Sequence, residues 1–374
     1  MSHADAIALT RELVSFDTVN PPGRERECAR RVGALLQEWG FAVDYYEYED
    51  ARTSVIARLG AADEKLPLCL TGHIDVVPLG TSPWSRDPFA GETDGDRLYG
   101  RGTSDMKAGV AAMLIAARSL AKRLRASPGV VLVLTAAEET GCIASGHLAR
   151  QPVLGRAGAV VVGEPTSNYP MVGHKGSIKF HAVFRGKSAH GSMPHLGVNA
   201  IYKASQAISR LEYFDFQAAP HPVMGEPTLN VGTIEGGAGV NLVPDRAQIG
   251  VDVRTVPGVE HAALLERLRL NLGRDAELEI LSDLPPVWTQ PDDAWVARVF
   301  EICRPHLGEA PVAKTAPYMT DAANLLKAWH GAPTVILGPG DAGQAHQTDE
   351  SCSQERIRQS VEIYEAIIRD WCRL

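Results

Sequence analysis

The chain has 374 residues, of which 45% are hydrophobic and 22% are charged, and its formal net charge is −8 at pH 7. A protein needs a basic surface to bind nucleic acid without sequence preference or to bind an anionic membrane. The negative net charge therefore argues against both kinds of binding. At roughly 150 residues per domain, a chain of this length predicts two or three domains.

The N-terminal segment and the cysteines indicate a cellular compartment. The segment MSHADAIALTRELVSFD lacks a basic region followed by an apolar one, so we expect no signal peptide. No apolar run in the sequence is long enough to span a bilayer. None of the six cysteines forms a C-x-x-C pair, which favours reduced and mostly buried thiols. We therefore expect a cytoplasmic protein.

Helices and strands alternate along the first part of the chain. The predicted elements are helices over 5–14, 25–39, 106–124 and 145–150 and strands over 41–48, 53–59, 67–72, 129–137 and 157–165. A long loop with several prolines and glycines follows strand 67–72. Because such alternation is typical of parallel sheets covered by helices on both faces, we predict a doubly wound, mostly parallel α/β sheet.

The pattern changes after about Gly173. The next elements are strand 177–186, helix 198–213, strands 228–236 and 247–256, helix 259–271 and strand 276–282. This β-α-β-β-α-β order is that of the ferredoxin-like fold. Helix 292–304, strand 332–338 and helix 354–371 then resume the α/β pattern. We predict a discontinuous α/β domain, residues 1–174 and 289–374, and an inserted α+β domain, residues 175–288.

The stretch LTGHIDVVPLG places His73 and Asp75 at the end of an apolar strand. Alternate side chains of a strand share a face, so the two residues are predicted to lie on the same side. A buried carboxylate needs a partner. One interpretation is a histidine–aspartate hydrogen bond that only ends the strand; the other is a functional site.

Further acidic and histidine residues follow the predicted strands, where open α/β sheets bind ligands. Each has a simple interpretation alone: Asp105 as a helix N-cap, Glu138 and Glu139 as a solvated turn, His346 as a loop histidine. Together with Glu164, however, these carboxylates would repel one another unless a cation lay among them. Two histidines and three carboxylates suit a pair of Zn²⁺-like ions that share one carboxylate.

The sequence resembles a family of metallopeptidases and deacylases that includes acetylornithine deacetylase, succinyl-diaminopimelate desuccinylase, aminoacylase and glutamate carboxypeptidases. The motifs that carry the resemblance are LVSFDTVNPPG, GHIDVVP, GRGTSDMKAG, AAEETG, GEPT and GPG followed by AHQTDE. They span the whole chain in the same order as in the family, and the last is most similar to the acetylornithine deacetylase branch.

The resemblance implies a set of metal ligands. Asp105 is expected to bridge two divalent metal ions, with His73 and Glu164 at one ion and Glu139 and His346 at the other. Zn²⁺ is the expected metal, and Co²⁺ or Mn²⁺ is compatible with carboxylate-rich sites.

The resemblance also implies roles for residues that bind no metal. Asp75 would orient the His73 ring, and Glu138 would be the general base for a water that lies between the two ions. In the inserted domain, His190 would stabilise the oxyanion, often from the partner subunit of a dimer, and Arg254 would bind a substrate carboxylate. Asn241 is a further substrate-binding candidate in that domain.

Simpler interpretations of the last residues stay open. A turn histidine and a solvated charge are the alternatives for His190 and Arg254. Asp321, in the segment YMTDAANL, lines the substrate pocket in the family or is a helix cap.

The implied function is metal-dependent hydrolysis of the amide bond of an N-acyl amino acid. The alternatives are an N-succinyl amino acid desuccinylase, a small-peptide carboxypeptidase or dipeptidase, and a catalytically silent metal-binding relative. A nucleotide-binding site is disfavoured because YGRGTSDMKAG matches neither glycine-rich phosphate-binding motif. The inserted domain is expected to act as a lid and to form a homodimer.

Overall fold

The computed structural model describes residues 4–61, 65–273 and 275–374. The chain divides into two compact units, a first unit of residues 1–173 and 288–374 and a second unit of residues 174–287. The division predicted from sequence, 175–288, differs from this one by a single residue at each end. The first three residues of the segment examined for a signal peptide lie outside the described residues.

Helices and strands cover most of the described chain. The α-helices are α1 (Ala4–Val14), α2 (Arg26–Glu38), α3 (Ala108–Leu124), α4 (Ile143–Ala149), α5 (Ala200–Leu211), α6 (His261–Leu272), α7 (Ala294–Leu307), α8 (Ala322–Ala328) and α9 (Gln354–Cys372). The strands are β1 (Ala42–Glu49), β2 (Arg52–Leu59), β3 (Leu68–His73), β4 (Thr93–Asp94), β5 (Arg97–Tyr99), β6 (Val130–Thr135), β7 (Ala159–Val162), β8 (Gly173–His174), β9 (Gly176–Arg185), β10 (Thr228–Gly236), β11 (Arg246–Thr255), β12 (Ala276–Leu284), β13 (Val287–Trp288), β14 (Thr334–Ile336) and β15 (Ser351–Ser353).

The first unit is built on a six-stranded sheet with the order β1-β2-β6-β3-β7-β14. Strands β6, β3, β7 and β14 run parallel, whereas β1 and β2 extend one edge in antiparallel pairing. Every residue of β3 and β6 is buried, as expected for strands covered on both faces. The predicted α/β class and mostly parallel sheet are confirmed.

Helix α3 forms the centre of the core of the first unit. It contacts α1, α9 and the sheet strands β3 and β6, and most of its side chains are buried. A helix that is apolar on nearly all sides is buried on nearly all sides. The many alanines of this segment let its neighbours approach closely, and the first residue of α3 comes three residues after Asp105.

A small sheet that the sequence does not reveal lies in the predicted long loop. Strands β4 and β5 form a hairpin, and β15 pairs with β5 so that Ser351 lies opposite Tyr99. Strands of two or three residues are too short to show a periodic pattern. This pairing brings the segment after His346 beside the segment before Asp105.

The second unit has the element order β-α-β-β-α-β and an antiparallel sheet with the order β10-β11-β9-β12. Ile178, Phe180, Ala182 and Phe184, which the alternation places on one face of β9, are all buried. They pack with alternate residues of β11 and with the apolar faces of α5 and α6. This unit therefore has a hydrophobic core of its own.

Two features of the whole described chain bear on its environment. None of the helices in the described ranges combines the length and the hydrophobicity needed to cross a membrane. All six cysteines are buried and free of disulfide bonds.

Helix α6 offers a direct test of the core of the second unit. Leu268 is 0% exposed and Leu270 is 80% exposed, although they are two residues apart. Leu268→Ala should destabilise the unit by ~2–5 kcal/mol because it leaves a cavity. Leu270→Ala should change stability by less than ~0.5 kcal/mol. Urea titration with hydrogen exchange of the β9–β12 amides measures both; equal losses would show that the helix is placed wrongly.

Candidate metal centre

His73 is the last residue of β3, and its ring faces two carboxylates. Its Nε2 atom lies 3.1 Å from Oδ1 of Asp105 and 3.9 Å from Oε1 of Glu164. Glu164 follows β7, which pairs in parallel with β3. Parallel neighbours end at the same edge of a sheet, so the two residues meet there although 91 positions separate them in the sequence.

His346 approaches the same aspartate from the other side. Its Nε2 atom lies 3.1 Å from Oε2 of Glu139 and 3.5 Å from Oδ2 of Asp105. Its backbone has a φ of +64°, in the left-handed region that residues other than glycine rarely adopt. Such backbone strain, on the order of 1 kcal/mol, is kept where the surrounding structure determines it, and it is frequent at functional sites.

The two oxygens of Asp105 thus face different histidines, and each histidine has one further glutamate. Ligand atoms of His73, Asp105 and Glu139 all lie within 4.8 Å of one another. Oε1 of Glu139 is buried and has no hydrogen-bond partner among the described residues. A buried, unpaired carboxylate oxygen in such a cluster is costly unless a cation binds it, so the donor set fits divalent metal ions.

The charges of the site lead to the same conclusion. Burial lowers the pKa of His73, but its hydrogen bond to Asp105 and the neighbouring carboxylates outweigh burial and hold the pKa well above its usual value. Hydrogen bonds to Asp105 and Glu139 raise the pKa of His346 to about 10. Burial raises the pKa of Glu164 well above its usual range. The site therefore concentrates carboxylates next to two histidines, and bound divalent cations would offset that negative charge.

Asp105 lies in an irregular segment, Thr103–Lys107, that precedes α3. The N-cap residue of α3 is Lys107, so Asp105 is not the helix cap that one interpretation of the sequence suggested. Two glycines allow the segment to pack tightly. A Cβ atom on Gly109 would lie 2.1 Å from the carbonyl oxygen of Gly163, and one on Gly340 would lie 2.1 Å from that of Ser104.

Asp75 lies beside His73, as predicted, and also contacts the turn that follows β6. Nδ1 of His73 lies 2.9 Å from the backbone carbonyl oxygen of Asp75 and 3.5 Å from its carboxylate. The carboxylate accepts hydrogen bonds from the backbone amides of Glu138 (3.1 Å) and Glu139 (3.2 Å). It also accepts one from Nδ2 of Asn20 at 2.8 Å. Asp75 therefore holds the turn that carries both glutamates, while its own carbonyl orients the histidine.

The turn after β6 separates the two glutamates. Ala137 has a φ of +54°, so the chain leaves the strand direction immediately before Glu138. Glu139 faces His346, whereas Oε1 of Glu138 accepts a hydrogen bond from the thiol of Cys142 at 3.3 Å. Burial raises the pKa of Glu138 well above its usual value, which strengthens it as a proton acceptor.

Asp321 is the N-cap residue of α8, but its side chain makes no capping hydrogen bond. Its carboxylate accepts a hydrogen bond from the hydroxyl of Thr135, the last residue of β6. The side chain therefore fastens α8 to the strand that precedes the two glutamates.

The other candidate residues lie in the second unit. The amide of Gly191 donates to the carbonyl oxygen of Asn241 at 2.7 Å, which brings the His190 and Asn241 loops together. Nδ1 of His190 lies 2.7 Å from the hydroxyl of Ser192. Arg254 lies on β11 and donates to the carboxylate of Asp252, at 2.9 Å from Nη2.

Sequence reasoning missed two residues that hold the site, Asn20 and Glu350. Both stand inside quoted motifs, VNPPG and HQTDE, yet neither motif shows what its polar residue contacts. Burial is the property that sets them apart, since Asn20 and Glu350 are almost inaccessible to solvent. Only the folded chain shows that burial.

The model of peptidase family M20/M25/M40 matches residues 69–370 of the chain. The chain belongs to this family. Acetylornithine deacetylase of Vibrio atlanticus (strain LGP32) is 32% identical over 379 residues, 96% of this chain and 97% of that protein. A probable succinyl-diaminopimelate desuccinylase of Staphylococcus epidermidis is 28% identical and covers 99% of this chain and 98% of that protein.

A solved structure gives the same fold. A dinuclear metal-binding peptidase of the M20 family from Bacillus subtilis has a TM-score of 0.71 at 20% sequence identity, with 98% of each chain covered. The family resemblance seen in the motifs is thereby confirmed. The relatives in this family are hydrolases, and the similarity extends over almost the whole chain.

The contacts of Asp75 generate a test. Asp75→Asn keeps the size of the side chain but replaces one acceptor oxygen with an NH₂ group. That group donates hydrogen bonds and cannot accept them from the backbone amides. We expect the affinity for Zn²⁺ to fall about 10- to 100-fold, the usual effect of changing a residue that orients a ligand. Asp44→Asn, at an exposed aspartate paired with Arg58, is the control and should bind normally. Calorimetric titration of metal-free protein measures both; unchanged affinity in Asp75→Asn would contradict the assignment.

Proposed function

We propose that the protein is a metal-dependent hydrolase that cleaves the amide bond of an N-acyl amino acid, as acetylornithine deacetylase does. The observation that carries the proposal is Asp105, whose two oxygens face His73 and His346. A carboxylate so placed can hold two cations side by side. The similarity to acetylornithine deacetylase over 96% of the chain supports deacylation as the reaction.

We assign the cations to two positions. His73 and Glu164 would hold one ion and His346 and Glu139 the other, with Asp105 between them. Bound divalent ions supply positive charge that polarises the amide carbonyl and makes water a better nucleophile near neutral pH. Zn²⁺ is the expected ion, with Co²⁺ or Mn²⁺ compatible. The Bacillus subtilis relative, named as a dinuclear metal-binding peptidase, supports two ions.

Glu138 is the proposed general base. Its carboxylate would take a proton from the attacking water and deliver it to the leaving amide nitrogen, which departs poorly unless protonated. A raised pKa, caused by burial, suits a group that must hold and then release that proton. The hydrogen bond from Cys142 limits the orientations of the carboxylate.

Residues of the second unit are proposed to recognise the substrate. Arg254 would bind a free carboxylate of the amino acid through its guanidinium fork, which Asp252 orients. His190 would donate a hydrogen bond to the oxygen on which negative charge develops. Asn241, whose backbone bonds to the His190 loop, would assist in binding.

Two alternatives for the substrate have support of their own. The desuccinylase relative of Staphylococcus epidermidis supports an N-succinyl amino acid, and the family description supports a small peptide. A catalytically silent relative would have lost a ligand or the base, whereas all six residues assigned to these roles are present. We expect a homodimer formed through the second unit, and the six free cysteines favour the reducing cytoplasm.

The function is tested by assaying zinc-loaded protein with N-acetyl, N-succinyl, N-formyl and dipeptide substrates. Variants of Glu138 and Glu139 then separate catalysis from metal binding. Glu138→Gln should retain both ions and lose at least about a hundredfold in kcat. Glu139→Gln should lose occupancy of one ion. If Glu138→Gln loses an ion and Glu139→Gln keeps both, the two roles are exchanged; if wild-type protein cleaves none of the amides, the proposed function is wrong.

Arg254 is tested by the charge of the substrate. Arg254→Ala should raise KM about 10- to 100-fold for substrates with a free carboxylate, because a hydrogen bond to a charged group contributes about 1.5–3 kcal/mol. It should change KM little for the same substrates with the carboxylate amidated. Arg246→Ala, at the start of the same strand, is the matched control. Equal effects on both substrate forms would indicate a structural role.

A further inference from the structure

Glu350 is a buried glutamate four residues after His346, and the metal-centre assignments give it no role. It is 0% exposed, and its carboxylate accepts four hydrogen bonds. Oε2 accepts from Nη1 of Arg101 at 2.7 Å and from the amide of Gly102 at 3.0 Å. Oε1 accepts from the amides of Ser104 at 2.8 Å and Asp105 at 3.0 Å.

These contacts occupy both oxygens of the side chain. Each carboxylate oxygen has two lone-pair sites, so four donors leave none for a metal ion or a substrate. Burial raises the pKa of Glu350 in spite of the Gly102 amide and the Arg101 charge, but four donors at these distances match the ionised form. A buried carboxylate surrounded in this way acts on the groups that donate to it.

The donors belong to the segment that presents Asp105. Three of the four are the backbone amides of Gly102, Ser104 and Asp105, and the fourth is Nη1 of Arg101. Asp105 has a φ of −120° and a ψ of 93°, which are not helical values, inside the irregular segment before α3, and its amide donates to Glu350. The Glu350 carboxylate is therefore the acceptor for three amides of this segment.

Arg101 and the main chain of Glu350 also tie the segment of His346 to this place. Nη1 of Arg101 also donates to the carbonyl oxygen of Gln347 at 3.2 Å. The amide of Gly100 donates to the carbonyl oxygen of Glu350 at 2.9 Å. Two segments about 245 positions apart are thus tied at the point where each presents a candidate metal ligand.

We propose that Glu350, together with Arg101, is a positioning residue that holds Asp105 and His346 at the spacing required to bind two cations. The proposal rests on the metal centre proposed above and extends it to a residue that touches neither metal nor substrate. Loss of the carboxylate would leave three amides without an acceptor and would free Asp105 to turn away from His346. Cation binding would weaken first at the ion that His346 and Asp105 share.

The variant Glu350→Gln keeps the length of the side chain but replaces one acceptor oxygen with an NH₂ group that faces two donors. Glu355→Gln is the matched control, because Glu355 lies on the following helix, is exposed, and its carboxylate contacts Arg358 and Gln359 of the same helix. Arg101→Lys is the second variant; it keeps the charge but loses the guanidinium, whose Nη1 donates to both Glu350 and Gln347 and whose Nη2 donates to the carbonyl oxygen of Pro78.

Titration of metal-free protein with Zn²⁺ in a calorimeter, and the visible spectrum of the Co²⁺ form, measure the effect. We expect two equivalents in wild-type and Glu355→Gln protein, and affinity for at least one ion about 10- to 100-fold lower in Glu350→Gln. Arg101→Lys should show a smaller loss at the same ion. Near-ultraviolet circular dichroism of the metal-free proteins separates a shifted site from a lost fold, and if Glu350→Gln does not fold, Arg101→Lys decides.

The outcomes distinguish this inference from the proposed function. A folded Glu350→Gln protein that binds two ions with wild-type affinity and an unchanged Co²⁺ spectrum overturns the positioning role, even if wild-type protein is an active hydrolase. Weakened binding in Glu350→Gln supports the role, even if wild-type protein cleaves no N-acyl amino acid. Wild-type protein that binds neither Zn²⁺ nor Co²⁺ overturns both.

Discussion

The mutual repulsion of buried carboxylates is the constraint that organises the first unit. Four of the carboxylates at this site, Asp75, Glu138, Glu139 and Glu164, follow strands of the central sheet, and a fifth, Asp105, precedes α3. In a low-dielectric interior, like charges so close cannot all remain ionised without compensation. The chain offsets them with two histidines, with backbone amides and with raised pKa values, and this partial compensation leaves room for divalent cations.

Backbone amides provide the rigid part of that compensation. Asp75 accepts the amides of Glu138 and Glu139, and Glu350 accepts those of Gly102, Ser104 and Asp105. Amides belong to the main chain and cannot change rotamer, so a carboxylate that binds several of them fixes a loop more firmly than a side-chain contact would. The carboxylates that are not candidate ligands therefore determine where the candidate ligands point.

The arrangement also explains how adjacent residues can have different tasks. Glu138 and Glu139 follow a left-handed residue, Ala137, which turns the chain before either side chain is placed. One glutamate contacts His346 and the other contacts Cys142. The candidate metal ligands all come from the first unit, whereas the candidates for substrate recognition come from the second. The family model describes peptidases and a similar curated relative is a deacetylase, so one fold serves more than one substrate class.

Much of this could be predicted from the sequence. The periodic spacing of apolar residues located most of the strands and helices. Burial of a strand or helix face imposes a regular spacing of apolar residues, which a short stretch of sequence already shows. The motifs indicated the family, and residue type at strand ends indicated His73, Asp105, Glu139, Glu164 and His346, because parallel strands end at a common edge. The three-residue strands of the small sheet gave no such period.

Only the tertiary structure decided which polar groups meet. Asp75 was expected to act on His73 through its carboxylate, which lies 3.5 Å from that ring; the sequence did not show that the same carboxylate also binds the amides of a distant turn. Glu350 shows no local sign of its role because three of its four donors are main-chain amides about 245 positions away, and every non-proline residue has such an amide. A sequence specifies which side chains can accept a hydrogen bond; the path of the folded chain determines which donors come within reach.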